Sequence, residues 1–477
     1  MLRAFRGRIP ELCITLLVAM LALWYSGQRA ADLSFTYDGA HTYNVYVHKD
    51  FMGIINYERP ILPNNHILNT LAMKYTEKVL GSSEFALRFP NLLLHLVYIL
   101  SAALICLRSK DLWLFLTGFL LLNANPYLLD YFGLARGYGM AASLMMLSLY
   151  FLLLHFKSPC IKRLYAALII GAFAVLANFT LLNYYLAAVG AYNLWLFGQP
   201  NRLSLKAWLR ANIPVAIVSV ILAGILYEPF RKMRIHLFGG ESGFWKDTVT
   251  SLLDRSFYGE HPGLAQSATW VIALMVLGAA VYFGLRLAKT RKSGLREPAF
   301  LGFVVLLLSA LSTVLQHHLL GNQYLEYRTA LFFIPLFWVA IVLLLFELAK
   351  QWRLPALLGG ALLSGFFLLM TLSKANFSYV LDWKYEMDTE QVAEILEAEW
   401  KASGKDRLRV GLNWLYEPTL NYYRQSKNYV WLDSLTRTGV AGDYDFWYLA
   451  NTDQDSLAKF EAKPYKYFNA SAAILYK

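Results

Sequence analysis

The tract Tyr37-Asp38-Gly39-Ala40-His41-Thr42-Tyr43-Asn44 follows the first long apolar run of this 477-residue chain. It places a carboxylate where a membrane helix would end and water begin. An acid there can act as general base toward a hydroxyl, while a lipid-carried partner arrives from the bilayer side. The plain alternative for Asp38 is a loop acid, or a cap for the stretch that starts at Ala40. A second tract, Leu129 to Gly139, carries Asp130 and Arg136 at the edge of two apolar runs. Charge at such an edge is costly and faces a cavity or an opposite charge, so Asp130 and Arg136 are either substrate groups or an ion pair. A third tract runs from Gln316 to Arg328 and includes His317, His318 and Tyr324. Adjacent histidines without an acid at ligand spacing make a poor metal site. Arg328, heading an apolar run, can hold a phosphate bidentately and keeps its charge at an interface. Arg59 is a further cation on the same side, where the usual explanation is lipid-headgroup contact.

The elements that must carry these residues follow from composition. The chain is 57% hydrophobic and 16% charged, with a mean hydropathy of +0.40. Soluble domains hold about 45–50% apolar and about 25% charged residues. The excess lies in runs of roughly 17–22 residues, long enough to cross about 30 Å of hydrocarbon. The fold class expected is therefore a polytopic α-helical membrane protein. The 13 Trp and 31 Tyr fit aromatic belts at both interfaces. The net charge of +12 is spread in small groups between apolar runs, which speaks for topology and against nucleic acid. Cys13, Cys106 and Cys160 fall in or beside apolar runs, so neither a disulfide framework nor a Cys metal site is expected.

Eleven spans are expected, near 10–27, 89–107, 111–127, 137–155, 163–178, 181–198, 209–227, 268–286, 299–317, 329–347 and 354–373. The pair 163–198 is read as two helices turning at Asn178-Phe179-Thr180. The first span, preceded by Arg3, Arg6 and Arg8, lacks a cleavage site and is read as retained. With the N-terminus inside, every inner connection is short and basic, and the C-terminus falls outside. The outer segments 28–88 and 228–267 and the tail are long, so any catalytic apparatus faces away from the cytoplasm. Two stretches in 28–88, Ala40–Lys49 and Ile67–Leu80, read as surface helices, the second stopping at Gly81. Pro60 to His66 reads as a rigid loop between them. Residues 1–375 form the transmembrane domain on this reading, and 376–477 a small extracytoplasmic α/β domain. In the tail a helix is expected at Asp388–Ser403, with Thr389 able to cap it, and another near Pro418–Arg424. Strands are expected at Leu408–Leu412, Tyr429–Leu432, Tyr444–Ala450 and Ala472–Tyr476.

Four features occur in a fixed order: Asp38 after span one, the Pro63-Asn64-Asn65-His66 loop, Ser82 to Pro90 leading into span two, and Ala135-Arg136-Gly137-Tyr138 at span four. Together with the topology they resemble the GT-C glycosyltransferases. The likeness is to bacterial members of the glycosyltransferase family 39 type, related to protein mannosyltransferases and to lipid A aminoarabinose or galacturonic acid transferases, and covers roughly residues 1–350. The resemblance implies transfer of a sugar from a polyprenyl-phosphate donor to a glycan, lipid or protein hydroxyl at the outer face of a bacterial inner membrane. It implies inversion at the anomeric carbon. Asp38 matches the first-loop catalytic acid, and Asp130 the second acidic position. Arg136 and Tyr138 match the Arg-x-Tyr pair. His66, with Asn65, falls in the loop that shapes the pocket, and His41 and Tyr324 are further pocket candidates. The chain departs from the pattern at Gly39, where an acid often follows the first Asp, and at Leu134, where an acid often precedes Ala-Arg.

On chemical grounds such a site needs a base for the attacking hydroxyl and cations for the departing phosphate. Asp38 takes the first role and Asp130 orients the acceptor. Arg136, Arg328 and, more weakly, Arg59 are the phosphate candidates. No cofactor is indicated, and arginines can replace a divalent metal. Two other classes compete. A transporter or flippase of a lipid-linked substrate would carry charges in mid-span and broken helices at the midplane. A diverged envelope-assembly protein would make Asp38 and Arg136 replaceable.

Overall fold

In the computed structural model the described residues are 5, 7–58, 64–200, 203–233, 239–437, 439–453 and 462–477. Arg59 and residues 60–63 of the expected rigid loop lie outside them. Among the described residues, eight helices are long and apolar enough to cross a bilayer. They are α1 (Ile9–Asp32), α5 (Glu84–Cys106), α8 (Gly137–Lys157), α12 (Ile213–Lys232), α14 (Pro262–Thr290), α15 (Pro298–Leu320), α16 (Phe333–Leu348, with the turn before it) and α17 (Arg353–Lys374). A ninth arises if α6 (Leu112–Asn123) and α7 (Pro126–Asp130), bent by 61°, count as one span.

The expected eleven therefore falls to eight or nine by length. The 111–127 run breaks at Ala124-Asn125, because Asn125 caps α7 and Pro126 takes its first position. The 163–198 region does split at Asn178, into α9 (Ile161–Ala177) and α10 (Leu182–Phe197). At 17 and 16 residues these two fall just short of the others. Asn178 makes the break by accepting the Thr180 N–H at 3.0 Å.

Between α1 and α5 the chain folds as α2 (Tyr37–Thr42), a π-helical turn over Tyr43–Val47, α3 (Phe51–Ile55) and α4 (Ile67–Leu80). Helix α4 has the bounds expected from its periodicity and ends at Gly81, whose φ of 84° glycine adopts without strain. Its buried face is Ile67, Asn69, Thr70 and Met73, while Tyr75, Val79 and Leu80 stay exposed. Leu68 and Ala72 still pack against the core, so only the C-terminal end of the apolar stripe points away from the protein.

Helices α11 (Leu205–Ala211) and α13 (Ser251–Ser256) flank α12 and α14. After α17 come a 3-10 turn at Leu381–Glu386, α18 (Thr389–Ser403), β1 (Val410–Leu412), α19 (Glu417–Ser426), β2 (Phe446–Ala450), β3 (Pro464–Phe468) and β4 (Ala473–Tyr476). The sheet order is β1-β2-β4-β3, with β1 and β2 parallel and the other pairs antiparallel. Three tail expectations need correction. Tyr429–Leu432 forms no strand, only a bridge from Leu432 to Leu408. Strand β3 is not among the expected strands; it opens with Pro464, lies at a sheet edge and keeps most of its side chains exposed. Asp388, not Thr389, takes the cap position of α18, and the Thr389 hydroxyl instead donates to Glu386 at 3.0 Å.

The tail packs on the segment between α1 and α5. One apolar cluster joins Leu396, Leu420, Tyr422 and Tyr448 of the tail to Phe35, Ala40, Tyr43, Met73 and Leu87. Phe35 stacks on Tyr422 at 4.0 Å, and its N–H donates to the Tyr423 hydroxyl at 2.9 Å.

Candidate active site

Asp38 lies in the first turn of α2, only 7% exposed. Its carboxylate stands 3.4 Å from the Arg136 guanidinium and 3.5 Å from that of Arg328. Burial alone would raise its pKa. Arg136 and Arg328, with a hydrogen bond from Asn64, outweigh this and hold the carboxyl below its ordinary range. Asp38 is therefore an anion at neutral pH.

Arg136 caps the start of α8 and is buried. One of its amino groups donates to the Asn64 carbonyl and the Thr42 hydroxyl, each at 3.0 Å, and to the Asp38 carbonyl at 3.3 Å. The other donates to Asn64 Oδ1 at 2.9 Å and meets His66 Nε2 at 3.0 Å. Arg136 thus ties α2, the 64–66 loop and α8 together. The corner is tight: a Cβ on Gly137 would stand 1.9 Å from the Ala177 carbonyl oxygen, so only glycine fits there. Burial and Arg136 push the His66 pKa well below its ordinary value, which leaves a neutral ring able to accept from the arginine. Tyr138 sets its ring edge-on to His66 at 5.0 Å and 5.7 Å from the Arg136 guanidinium. Asn65 braces the loop from behind, donating to the Ile54 carbonyl at 2.8 Å and accepting from Thr70 at 2.9 Å.

Arg328 differs from Arg136 in keeping 27% of its side chain exposed. It sits in the 3-10 turn Tyr327–Ala330, set by reciprocal bonds between Glu326 and Thr329. Besides Asp38 it reaches Asp382 at 4.0 Å and lies over the Trp383 ring at 5.1 Å. Asp382, which carries no motif, accepts from Tyr127 at 2.8 Å and Tyr131 at 2.5 Å. Arg255 reaches Asp382 at 3.3 Å and stacks over Tyr327 at 4.5 Å. Asp38, Arg328, Asp382 and Arg255 thus form one chain of alternating charge, drawn from four distant parts of the sequence.

Asp130 belongs to a different knot. Its carboxylate accepts from Arg29 at 2.7 Å, from the Tyr258 hydroxyl at 3.0 and 3.1 Å and from the Leu381 N–H at 3.2 Å. Arg29 also donates to the main-chain carbonyls of Asn376 and Tyr379. The knot anchors the segment 376–382, which delivers Asp382 to Arg328. The ion pair that spacing suggested with Arg136 is made with Arg29, in the last turn of α1.

Tyr324 stacks on His317 at 4.1 Å and bridges its backbone to Gly240. His41 faces Tyr37 and Tyr46. Among the described residues no three His, Cys, Asp or Glu side chains come together as a metal site. The tail's Asp443 and Asp445 pair with Arg409 and Lys405. A groove of about 540 Å³ runs between α13, α14, α15, α16 and α17, walled almost wholly by apolar side chains such as Leu253, Val271, Leu306, Phe333 and Phe367. Its wall residues Leu253 and Ser256 lie within two residues of Arg255 in the sequence, and Phe333 lies five residues after Arg328.

The architecture is similar to that of ArnT from Cupriavidus metallidurans in the apo state, over 98% of this chain and 98% of that chain, with a TM-score of 0.56 at 11% identity. ArnT from the same organism bound to undecaprenyl phosphate aligns over 99% of this chain and 98% of that one, with a TM-score of 0.48 at 13% identity. Arabinosyltransferase EmbB from Mycobacterium smegmatis aligns over 69% of this chain, which spans 30% of EmbB, with a TM-score of 0.41 at 13% identity. No protein-family model matches the sequence, and no curated protein matches it. The ArnT likeness shows the fold: a multi-pass helical membrane architecture with a small C-terminal sheet.

Proposed function

We propose that this chain is a membrane glycosyltransferase that moves a sugar from a polyprenyl-phosphate donor to a hydroxyl acceptor. The observation that carries the reading is a buried carboxylate shared between two guanidiniums, one partly exposed, in a chain that also holds an apolar groove walled by sequence neighbours of Arg255. The groove suits a polyisoprenoid chain, for which burial of apolar surface provides about 25 cal/mol per Å².

In this reading Asp38 is the general base. The acceptor oxygen attacks the anomeric carbon, the bond from that carbon to the phosphate oxygen breaks, and the hydroxyl proton passes to Asp38. The lipid phosphate leaves with its electron pair, and configuration inverts. Arg328, backed by Arg255, neutralises the phosphate in a low-dielectric setting. A phosphate that engages Arg328 draws one cation away from Asp38. The carboxylate then becomes a stronger base when the proton must be taken. Arg136 has five protein partners and serves here as the fastener of the site. Asp130 holds the segment that presents Asp382 and Trp383. Charged residues gather at helix ends rather than in mid-span, which favours this reading over transport. Placing the N-terminus in the cytoplasm and the tail outside a bacterial inner membrane puts the site on the outer face. The tail from 376 onward then acts as an outer domain.

The test is sugar transfer by the purified full chain in detergent, using a panel of polyprenyl-phosphate sugars and an envelope extract as acceptor. Asp38→Asn is expected to lower kcat by about 10²–10⁴-fold, the size of a lost general base. Its thermal unfolding temperature is expected to fall as well, because Arg136 stays buried without an opposite charge, so kcat is read per folded molecule at low temperature. Unchanged transfer by Asp38→Asn removes the base from the mechanism. Turnover of no donor by folded wild type removes the enzyme class.

A further inference from the structure

The tail domain adds residues to the rim of α2 that the transfer chemistry above leaves unused. Trp414 lies in the turn after β1, at the carboxyl end of the parallel β1–β2 pair, a common place for ligands in α/β sheets. It keeps 51% of its surface exposed, although it belongs to the domain that lies off the bilayer in the proposed topology. Its ring meets Tyr37, the neighbour of Asp38, at right angles, with centroids 6.0 Å apart. Arg437 rests 5.7 Å from the Tyr37 ring and 6.0 Å from the Trp414 ring. It donates to the Tyr37 hydroxyl at 2.9 Å and to Glu417 at 3.1 Å. Its side chain is still 45% exposed. His41 lies parallel to the Tyr37 ring with centroids 6.5 Å apart, and its Nε2 is buried without a hydrogen-bond partner. The amide of Asn44 donates to the Pro418 carbonyl at 2.8 Å and locks this face of the α2 region to α19.

We propose that Trp414, Tyr37, Arg437, Glu417 and His41 form a subsite for one sugar ring of the acceptor. A pyranose has a flat face of C–H groups and a rim of hydroxyls. The first packs on an aromatic ring, and the second needs donors and acceptors fixed side by side. The corner supplies both: a half-exposed indole packed against Tyr37, and a half-exposed Arg437 with N–H groups beyond those given to Tyr37 and Glu417, the carboxylate itself being braced by Asn421 at 2.6 Å. An acyl chain would cover the indole but strand the charged pair. A bare phosphate would use Arg437 and be opposed by Glu417. Tyr37 is the sequence neighbour of Asp38 in the same short helix, which sets the corner close to the base. That the ring belongs to an acceptor rests on the transferase reading; that the corner binds a saccharide does not.

The experiment has two arms on the detergent-purified full chain. Saturation-transfer difference NMR measures binding of chitobiose, maltose and digalacturonic acid to wild type, Trp414→Ala and Trp414→Phe. The transfer assay measures acceptor and donor KM for the same proteins, with thermal unfolding as a folding check. Wild type and Trp414→Phe are expected to show saturation transfer to ring protons of at least one disaccharide, and Trp414→Ala to lose it. Trp414→Ala is expected to raise the acceptor KM about tenfold, the size of one lost aromatic partner, with donor KM and kcat little changed. No disaccharide signal from wild type, or equal signal from folded Trp414→Ala, overturns the subsite. A rise in donor KM alone overturns its assignment to the acceptor. Disaccharide binding by a chain that turns over no donor sustains the subsite and removes the transferase reading instead.

Discussion

Replacing Asp130 with Asn separates a structural carboxylate from a catalytic one. The Arg29 side chain is 0% exposed and that of Asp130 is 1%, with 2.7 Å between nitrogen and oxygen. At an effective dielectric constant of about 20, the pair's gross attraction is about 6 kcal/mol, most of which offsets desolvation. Removing only the carboxylate charge leaves the guanidinium buried with neutral partners, a change that typically costs about 3–5 kcal/mol. The new amide brings a second penalty. One carboxylate oxygen accepts the Leu381 N–H and the other accepts Arg29. An amide nitrogen at the first position faces the Leu381 N–H and leaves it unsatisfied, although it can donate to the Tyr258 hydroxyl. Asp130→Asn is therefore expected to unfold at markedly lower temperature in detergent. Specific activity per folded molecule, read at low temperature, should stay within a fewfold of wild type. Replacing the pair together, Arg29→Met with Asp130→Leu, should recover part of the loss. The unsatisfied Leu381 N–H and neighbouring carbonyls would retain about 1–3 kcal/mol of it. Wild-type stability in Asp130→Asn combined with a hundredfold or greater loss of kcat would refute this reasoning and move Asp130 into the chemistry.

Two further outcomes follow from the same geometry. Arg328→Gln is expected to raise donor KM and lower kcat, together by about 10²–10³ in kcat/KM, with little loss of stability because the side chain is partly exposed; unchanged kinetics would remove Arg328 from phosphate binding. Glu386, buried between the membrane domain and the tail, has its pKa pushed up to about 8 by burial, against hydrogen bonds from Thr419 and Thr389. The folded state then holds a proton that the unfolded state loses near 4.5, so stability falls as pH rises from about 4.5 toward 8. Glu386→Gln should flatten that part of a melting-temperature profile, and an unchanged slope would show that another group carries it.

Much of the membrane architecture was legible from apolar run length. Helix α4 was legible to the residue, from the spacing of Leu68, Leu71, Tyr75 and Val79 and the stop at Gly81. The turn at Asn178 and the helix opening at Pro418 followed from side-chain chemistry alone. Asp38 stood out because an acid just past a span has few structural duties. Periodicity specifies which face of a helix is buried, however, and not which distant residue meets it. Asp38 and Arg328 come within 3.5 Å only because the turn before α16 packs beside α2. Asp130 found Arg29 across helices rather than its neighbour Arg136, since the low-dielectric interior rewards whichever opposite charge the packing brings closest. Asp382, Arg255 and the Trp414 corner carry no local signature and acquire a task only through the contacts that surround them. The residue types, their topology and the chemistry available were local properties of the chain. Which carboxylate faces a substrate cation and which is sealed in an ion pair was decided by helix packing, because the energy of a charge depends on its neighbours in space.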